Sequence, residues 1–177
     1  MPPKPRFLLC DAVSIITAHE LGVWDKLCSS YEILVPSIVI DECEFYRDDQ
    51  GQRIPIDLRT QVQQGIISEY QANPADFAAT SALLHPELRA RVHAGEREAL
   101  TYLRINEPDD VWFVTADGGA IEAAVAFDRG DRAVSLEMVL RRIGITKQLE
   151  KHHTDAFVVD HRRRGSIIVA QGRALSQ

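Results

Sequence analysis

Short apolar runs alternate along this chain with longer stretches in which apolar residues recur at helical spacing. The runs from Arg6 to Cys10, Tyr31 to Val35 and Val111 to Thr115 are each bounded by Pro, Ser or Asp. Strands that alternate with helices in this way form a parallel sheet that helices cover on both faces. The pattern therefore predicts an α/β fold, an α/β/α sandwich around a central parallel sheet.

The domain organisation follows from length and local polarity. The length of 177 residues suits one domain, and a hydrophobic content of 45% allows a substantial core. We expect the main domain to span residues 1–144 and to include a helix over residues 38–46. The polar segment 47–65 is expected to leave the core as a hairpin or an arm. Residues 145–177 are expected to extend the same domain with an amphipathic helix and a strand over residues 166–171.

The composition restricts the cellular setting and the kind of surface. A net charge of −6 argues against a surface wholly given to nucleic-acid binding, although it leaves room for a local basic patch. The cysteines Cys10, Cys28 and Cys43 lack CxxC spacing, which favours reduced thiols over a zinc site. Asp11 interrupts the first apolar run too early for a signal peptide, and no run approaches the roughly 18 apolar residues of a membrane span. We expect a cytoplasmic protein that does not associate with membranes.

Two aspartates follow predicted strands of the core. Asp11 comes directly after the first apolar run, and Asp117 comes two residues after the run that ends at Thr115. Because ligands of open α/β sheets bind at the carboxyl ends of the strands, both aspartates are candidates for one site. Each also has a structural alternative, since Asp11 can cap a helix and Asp117 can form the turn before two glycines.

Two glutamates are predicted on helices. Glu42 has apolar or aromatic residues three and four positions away on both sides, so its carboxylate is expected to point inward. A buried carboxylate needs an arginine, backbone donors or a metal, and a buried salt bridge is the structural alternative. Glu96 aligns with the apolar face of its helix and is preferred to Glu98, which is held in reserve. The alternative for Glu96 is a favourable interaction with the helix dipole.

Carboxylates gathered in one pocket repel each other and destabilise the fold unless a cation is present. Hard oxygen ligands with spare coordination positions favour Mg²⁺ or Mn²⁺ over Zn²⁺. Such ions activate an attacking water, orient a scissile phosphate and stabilise charge on the leaving 3′ oxygen. The chemistry that these residue types predict is hydrolysis of phosphodiester bonds.

These motifs resemble the PIN-domain family of metal-dependent nucleases, which includes the toxins of bacterial and archaeal toxin–antitoxin pairs. The resemblance is carried by FLLCDAVSII with Asp11, VPSIVIDECEF with Glu42, GEREAL with Glu96 and WFVTADGGAIEAA with Asp117. It covers residues 6–46 and 66–144 in the family's order. Each motif is short, so the specificity of the resemblance comes from order and spacing.

The resemblance implies a PIN-like α/β/α sandwich and a Mg²⁺ or Mn²⁺ site formed by Asp11, Glu42, Glu96 and Asp117. It also implies endonuclease activity on an RNA substrate and supporting hydroxyl groups at Thr115 and Ser14. The excursion over residues 47–65 and the tail after residue 145 exceed a compact family member. These segments are candidates for covering the site, for forming a homo-oligomer and for holding a partner such as an antitoxin protein.

Two further features, a basic run and a pair of histidines, are weaker candidates for function. The basic run Arg162, Arg163 and Arg164 would give salt-dependent affinity for RNA phosphates, although a solvated helix end is the commoner role of such a run. His152 and His153 lack a suitably spaced third ligand and are expected at the surface.

Two rival functions remain to be weighed against the nuclease. One is a catalytically silent PIN-like module that binds RNA or protein. A phosphohydrolase with Asp11 as nucleophile is disfavoured, because that class needs a second aspartate two residues later and Val13 occupies the position.

Overall fold

The computed structural model describes residues 7–106 and 110–176; Arg6, the first residue of the first predicted strand, lies outside these ranges. Its strands are β1 (Phe7–Cys10), β2 (Glu32–Pro36), β3 (Phe45–Arg47), β4 (Arg53–Pro55), β5 (Ser68–Tyr70), β6 (Val111–Val114) and β7 (Ala133–Val134). Five of them form a parallel sheet in the order β5-β2-β1-β6-β7. The parallel sheet that the alternating apolar runs predict is confirmed.

Helices flank this sheet on both sides, as expected. They are α1 (Ala12–Glu20), α2 (Trp24–Ser30), α3 (Ser37–Glu42), α4 (Leu58–Gln63), α5 (Pro74–Leu83), α6 (Pro86–Arg89), α7 (Ala94–Asn106), α8 (Gly118–Ala126), α9 (Leu136–Arg142) and α10 (Asp155–Ala170), with a 3₁₀ turn at Lys151–His153. Within the described ranges, no helix is both long and apolar enough to cross a membrane.

Side chains of the central strands alternate between two hydrophobic cores, one on each face of the sheet. Leu8 and Cys10 of β1 pack with Trp112 in the first core, to which α1, α2 and α9 contribute. Leu9 packs with Phe113 in the second core, which includes residues of α7, α8 and α10. Helix α1 therefore leaves β1 towards one face, whereas α8 leaves β6 towards the other.

The strand order reverses between β1 and β6. The chain runs from β1 outward through β2 and β5, and then returns to add β6 and β7 on the other side of β1. The loops after β1 and β6 diverge to opposite faces, which opens a crevice at the carboxyl edge between these two strands. This topological switch point lies where the sequence places Asp11 and Asp117.

The segment after α3 corrects the predicted helix over residues 38–46. Helix α3 ends at Glu42, and Phe45 begins β3, which pairs in antiparallel fashion with β4. Aromatic residues such as Phe45 and Tyr46 favour strands, and pairing with a second strand overrides the apolar spacing that suggested a helix. A hairpin forms the first part of the excursion and starts at Phe45, two residues before residue 47. The rest does not leave the protein body, because Ile56 and Leu58 are buried in the first core.

The C-terminal segment corrects the strand predicted over residues 166–171. These residues belong to α10 as far as Ala170 and leave the helix only at its end. Gly165, which directly precedes the predicted strand, lies inside α10 where this helix packs closely on α8. A Cβ atom at position 165 would lie 2.9 Å from Cβ of Val125 and 3.1 Å from Cα of Glu122. The glycine serves close helix packing rather than helix termination.

We expect Gly165→Ala to lower the free energy of unfolding by about 1–3 kcal/mol, because the added methyl group overpacks the contact between α10 and α8. This loss would outweigh the gain of up to about 1 kcal/mol that alanine brings to a helix interior. Urea unfolding followed by circular dichroism measures the change. The control is Ser166→Ala at the exposed neighbouring position, which should be nearly neutral. Equal stability of the two variants would contradict the packing role of Gly165.

Candidate functional site

Asp11 joins the ends of the two strands at the switch point. Its Oδ1 accepts the backbone N–H of Ser14 at 2.7 Å, which caps α1. Its Oδ2 accepts the backbone N–H of Ala116 at 2.9 Å, from the loop that follows β6. The residue is only 1% exposed. The helix-capping role is therefore confirmed, and each carboxylate oxygen retains a lone pair for a further ligand.

Asp117 lies at the start of α8, across the switch point from Asp11. Its Oδ1 accepts the N–H of Ala120 at 2.7 Å, while its own N–H donates to Oγ1 of Thr115 at 3.1 Å. Burial raises the pKa of Asp117, the charge of Asp11 adds to this effect, and the N–H of Ala120 opposes it. Thr115 is buried and thus positions the turn that carries Asp117.

Glu96, in the first turn of α7, faces the same two aspartates. Its pKa is raised to about 7, mainly by burial, with further contributions from the charges of Asp11 and Asp117. The residue is 8% exposed, and its buried Oε2 has no hydrogen-bond partner among the described residues. The nearest cationic group is Nδ1 of the exposed His93, at 3.7 Å. The sequence-based choice of Glu96 thus identifies a carboxylate within electrostatic reach of both aspartates.

Glu42 does not point into the core as the sequence suggested. Because α3 ends at Glu42, Phe45 and Tyr46 do not share a helix face with it, and the residue is exposed. Its carboxylate nevertheless lies against the start of α7: a Cβ atom at Gly95 would be 3.2 Å from Oε2 of Glu42. We call Asp11, Glu96 and Asp117 the acidic site. Glu42 lies at its rim, next to Gly95, the residue that precedes Glu96.

Glu98 is buried but serves the fold. Its Oε1 accepts the N–H of Ala72 at 2.9 Å, and its Oε2 accepts the N–H of Ile38 at 2.9 Å. The hydroxyl of Ser37 donates to both oxygens. The sequence placed Glu98 with Thr101 off the apolar face, but Thr101 is also fully buried, because α7 packs on more than one side. Glu98 ties α3 and the loop after β5 to α7, and it is not one of the three interacting acids.

Ser14 adds a second unsatisfied group. Its backbone N–H donates to Asp11, whereas its buried hydroxyl oxygen has no partner among the described residues. Across residues 7–106 and 110–176, no group of three His, Cys, Asp or Glu side chains is arranged to hold a metal ion as the side chains stand. The acidic site is thus a set of mutually repelling carboxylates rather than a closed coordination sphere.

A buried ion triad beside the switch point was missed from the sequence. Glu122 of α8 is 2% exposed and lies between Arg91 and His161, with Nη2 of Arg91 at 2.7 Å and Nδ1 of His161 at 2.8 Å. The imidazole of His161 covers Gly118, where any Cβ atom would overlap the ring. A lone acid in the apolar helix GGAIEAAVA was the available signal, since such a residue requires a partner.

The expectation that His153 lies at the surface is wrong. His153 is 2% exposed, and its Nε2 shares a hydrogen bond of 2.9 Å with Oγ1 of Thr17. Burial lowers its pKa to about 4, and the neighbouring His152 adds to the shift. The ring lines a groove of about 380 Å³ between α1 and residues 148–153. His152 is partly exposed.

The arginines of the basic run on α10 already form hydrogen bonds or ion pairs within the protein. Arg162 donates to the carbonyl of Ala133 at 2.6 Å, at the end of β7. Arg163 and Arg164 both form ion pairs with Asp160, at 3.1 and 2.8 Å. The predicted contact of this run with RNA therefore competes with existing partners.

Fold and site together define a class of protein. It is an α/β protein with a central parallel sheet whose topological switch point carries buried, mutually repelling carboxylates. No family model matches the chain, and no curated protein sequence matches it. The function must therefore be argued from the site itself.

We expect Glu96→Gln to remove a pH dependence of stability. The native pKa of about 7 lies above the ordinary 4.5, so the native state binds more protons than the unfolded state between these pH values. The contribution of Glu96 is fully present below pH 4.5 and is lost as pH rises towards 7. The wild type should lose on the order of 2 kcal/mol relative to the variant between pH 5 and pH 8.

Urea unfolding in EDTA at the two pH values tests this expectation. The control is Ser166→Ala, which removes no ionisable group and should keep the wild-type difference between the two pH values. Parallel profiles for wild type and Glu96→Gln would show that Glu96 is not held in an unfavourable charged state.

We expect Glu98→Gln to lower the free energy of unfolding by about 2 kcal/mol at pH 8, whereas Glu96→Gln should not lower it at this pH. Each oxygen of Glu98 accepts a backbone N–H, so an amide nitrogen in either position would face another donor. Glu96→Gln, two residues earlier in the same helix, is the matched comparison. A gain in stability on Glu98→Gln would place this residue with the repelling acids instead.

Proposed function

We propose that this chain is a Mg²⁺- or Mn²⁺-dependent endoribonuclease of the PIN type. The observation that carries the proposal is the buried Oε2 of Glu96, which has no hydrogen-bond partner among the described residues. Burial raises the pKa of Glu96, and the charges of Asp11 and Asp117 raise it further. A buried, unpaired carboxylate beside two others is costly, and a divalent cation is the ligand that would relieve all three.

The residues present fit such an ion. Asp11, Glu96 and Asp117 would hold it, with Glu42 at the rim, and all four supply the hard oxygen ligands that Mg²⁺ and Mn²⁺ prefer. When bound, the ion would lower the pKa of water and neutralise charge on a phosphate group. The resemblance of the motifs to the PIN-domain family supports the same ligand set.

The chain's own contribution is positioning. Backbone N–H groups hold Asp11 and Asp117 in place before any ligand arrives, so little side-chain freedom is lost on binding. In the hydrolysis, the water oxygen bonds to phosphorus, the bond to the 3′ oxygen breaks, and the water proton is finally carried by the leaving group or solvent. The hydroxyl oxygen of Thr115 accepts the N–H of Asp117 and so keeps this residue in position during these steps.

One observation favours the alternative, a catalytically silent module that binds RNA or protein. Both oxygens of Asp11 already accept backbone hydrogen bonds from the elements that it joins. In that case the acids would serve only to cap α1 and α8. The two functions differ in their response to metal.

We expect millimolar Mn²⁺ to raise the melting temperature by about 3–6 °C, which corresponds to about 1.4 kcal/mol if the ion exceeds its Kd tenfold. We also expect cleavage of single-stranded RNA that EDTA abolishes. Asp117→Asn should remove cleavage while leaving the apo protein as stable or more stable, because asparagine still caps α8 and one repelling charge is lost.

Differential scanning fluorimetry and gel-based cleavage measure the two effects. Asp76→Asn, a change of the same chemistry in α5 away from the switch point, is the control and should retain both responses. Absence of a thermal shift with either metal would favour the silent module. A marked loss of apo stability in Asp117→Asn would indicate that the residue is structural.

A further inference from the structure

The β3–β4 hairpin has two chemically different faces. In an antiparallel ribbon, residues directly opposite each other share a face, and successive residues alternate between faces. Tyr46 is opposite Ile54, and the Tyr46 ring stacks on His19 of α1 with 5.5 Å between ring centroids. This face therefore attaches the hairpin to the body of the protein.

The other face carries a cationic and aromatic surface. Arg47 is opposite Arg53, and Phe45 is opposite Pro55. The guanidinium of Arg53 lies 4.4 Å from the centroid of the Phe45 ring, and that of Arg47 lies 5.9 Å from it. Both arginines and Pro55 are exposed, and Phe45 is partly exposed. We call Phe45, Arg47 and Arg53 the hairpin platform.

The arginines of the platform lack the acidic partners that other exposed arginines have, although Nη1 of Arg47 donates to the carbonyl of Gly51 at 3.0 Å. Among the described residues, neither Arg47 nor Arg53 forms an ion pair, whereas Arg163 and Arg164 both pair with Asp160. The nearby Asp48 forms no ion pair with either arginine; its Oδ1 accepts the N–H groups of Gln50 and Gln52 in the turn. Like charges directly opposite on paired strands destabilise a hairpin, so the arrangement favours an anionic ligand.

The platform adjoins the rim of the acidic site. Glu42, Phe45 and Arg47 line one open groove of about 220 Å³, with Ile16 at its inner wall. A ligand that lies along this groove would pass from the two arginines to Glu42, which itself lies against the start of α7. Glu20 and Glu44 also line the groove, so phosphate groups are favoured at the arginine end alone.

We propose that the hairpin platform binds single-stranded RNA and guides it along this groove to the acidic site. The inference deepens the proposed nuclease function and rests on it for the identity of the ligand. Arg47 and Arg53 contact consecutive phosphates, while an unpaired base stacks on the pair formed by Phe45 and Arg53. Stacking selects single strands, because the face of a base in a duplex is covered by its neighbours. The platform thus replaces the basic run of α10 as the main RNA contact.

The test measures binding separately from cleavage, with the full chain in EDTA and a short fluorescein-labelled oligouridine. Fluorescence anisotropy gives Kd at several salt concentrations. For the double variant Arg47→Gln and Arg53→Gln, we expect affinity to fall about tenfold and the salt slope to shrink by about 0.7 for each lost phosphate contact. Phe45→Leu should weaken binding at least about fivefold without changing the salt slope, because stacking releases no counterions.

The matched control is the double variant Arg163→Gln and Arg164→Gln, which makes the same change of charge on α10. It should bind within about twofold of the wild type, since these arginines lie on α10, do not line the groove and share Asp160 as an ion-pair partner. Thermal unfolding of all three variants shows whether the hairpin remains attached. The inference is overturned if the wild type does not bind the oligouridine, if the α10 variant loses as much affinity, or if duplex RNA binds as tightly.

Cleavage with Mn²⁺ distinguishes this inference from the nuclease proposal. Unchanged RNA binding by the Arg47 and Arg53 variant, together with cleavage by the wild type, would refute the platform and leave the nuclease standing. Binding that depends on the platform, with no cleavage under any metal condition, would refute the nuclease and retain the platform as an RNA-binding surface.

Discussion

The candidate site depends on the two hydrogen bonds that the carboxylate of Asp11 accepts. It accepts one N–H from the first turn of α1 and one from the loop after β6. Those two elements leave the sheet on opposite faces, so the switch point would be held only by the pairing of β1 with β6 if this residue were lost. The same residue is only 1% exposed and lies near Glu96 and Asp117, where its charge adds to the effect of burial on their pKa values. A structural cap and an acid of the candidate site are therefore one side chain.

The buried glutamates show how the fold distinguishes structural acids from the functional candidate. Glu98 has backbone N–H donors on both oxygens, and Glu122 lies between Arg91 and His161. Glu96 alone of the three faces other carboxylates, and its protonation would relieve the repulsion in the apo state. Burial without compensation is unfavourable, so a site that retains it gains by binding a cation.

The sequence predicted the sheet, both aspartates and Glu96 because these depend on local patterns. Strand length and the acid that follows a strand can be read from neighbouring residues, whereas helix phase within α7 missed the burial of Glu98. The errors at Glu42, in the strand over residues 166–171 and at His153 arise from pairing and packing. Helix α3 ends early because Phe45 pairs with Pro55 in a hairpin, and Gly165 packs on a helix some forty residues away. His153 is buried through a contact with α1 that no local pattern contains.

The distribution of arginines follows from the charge of the acidic site. A chain with a net charge of −6 and an acidic edge repels a polyanion over most of its surface. Most exposed arginines are neutralised by acids within the fold, as Arg59 is by Asp41 and Glu69. The exposed Arg47 and Arg53 lack such acidic partners and occur in the hairpin at the rim of the site, beside a groove that Glu20, Glu42 and Glu44 also line. If the proposed cation binds, its charge and these two arginines would together offset the acids along the path of a phosphate group.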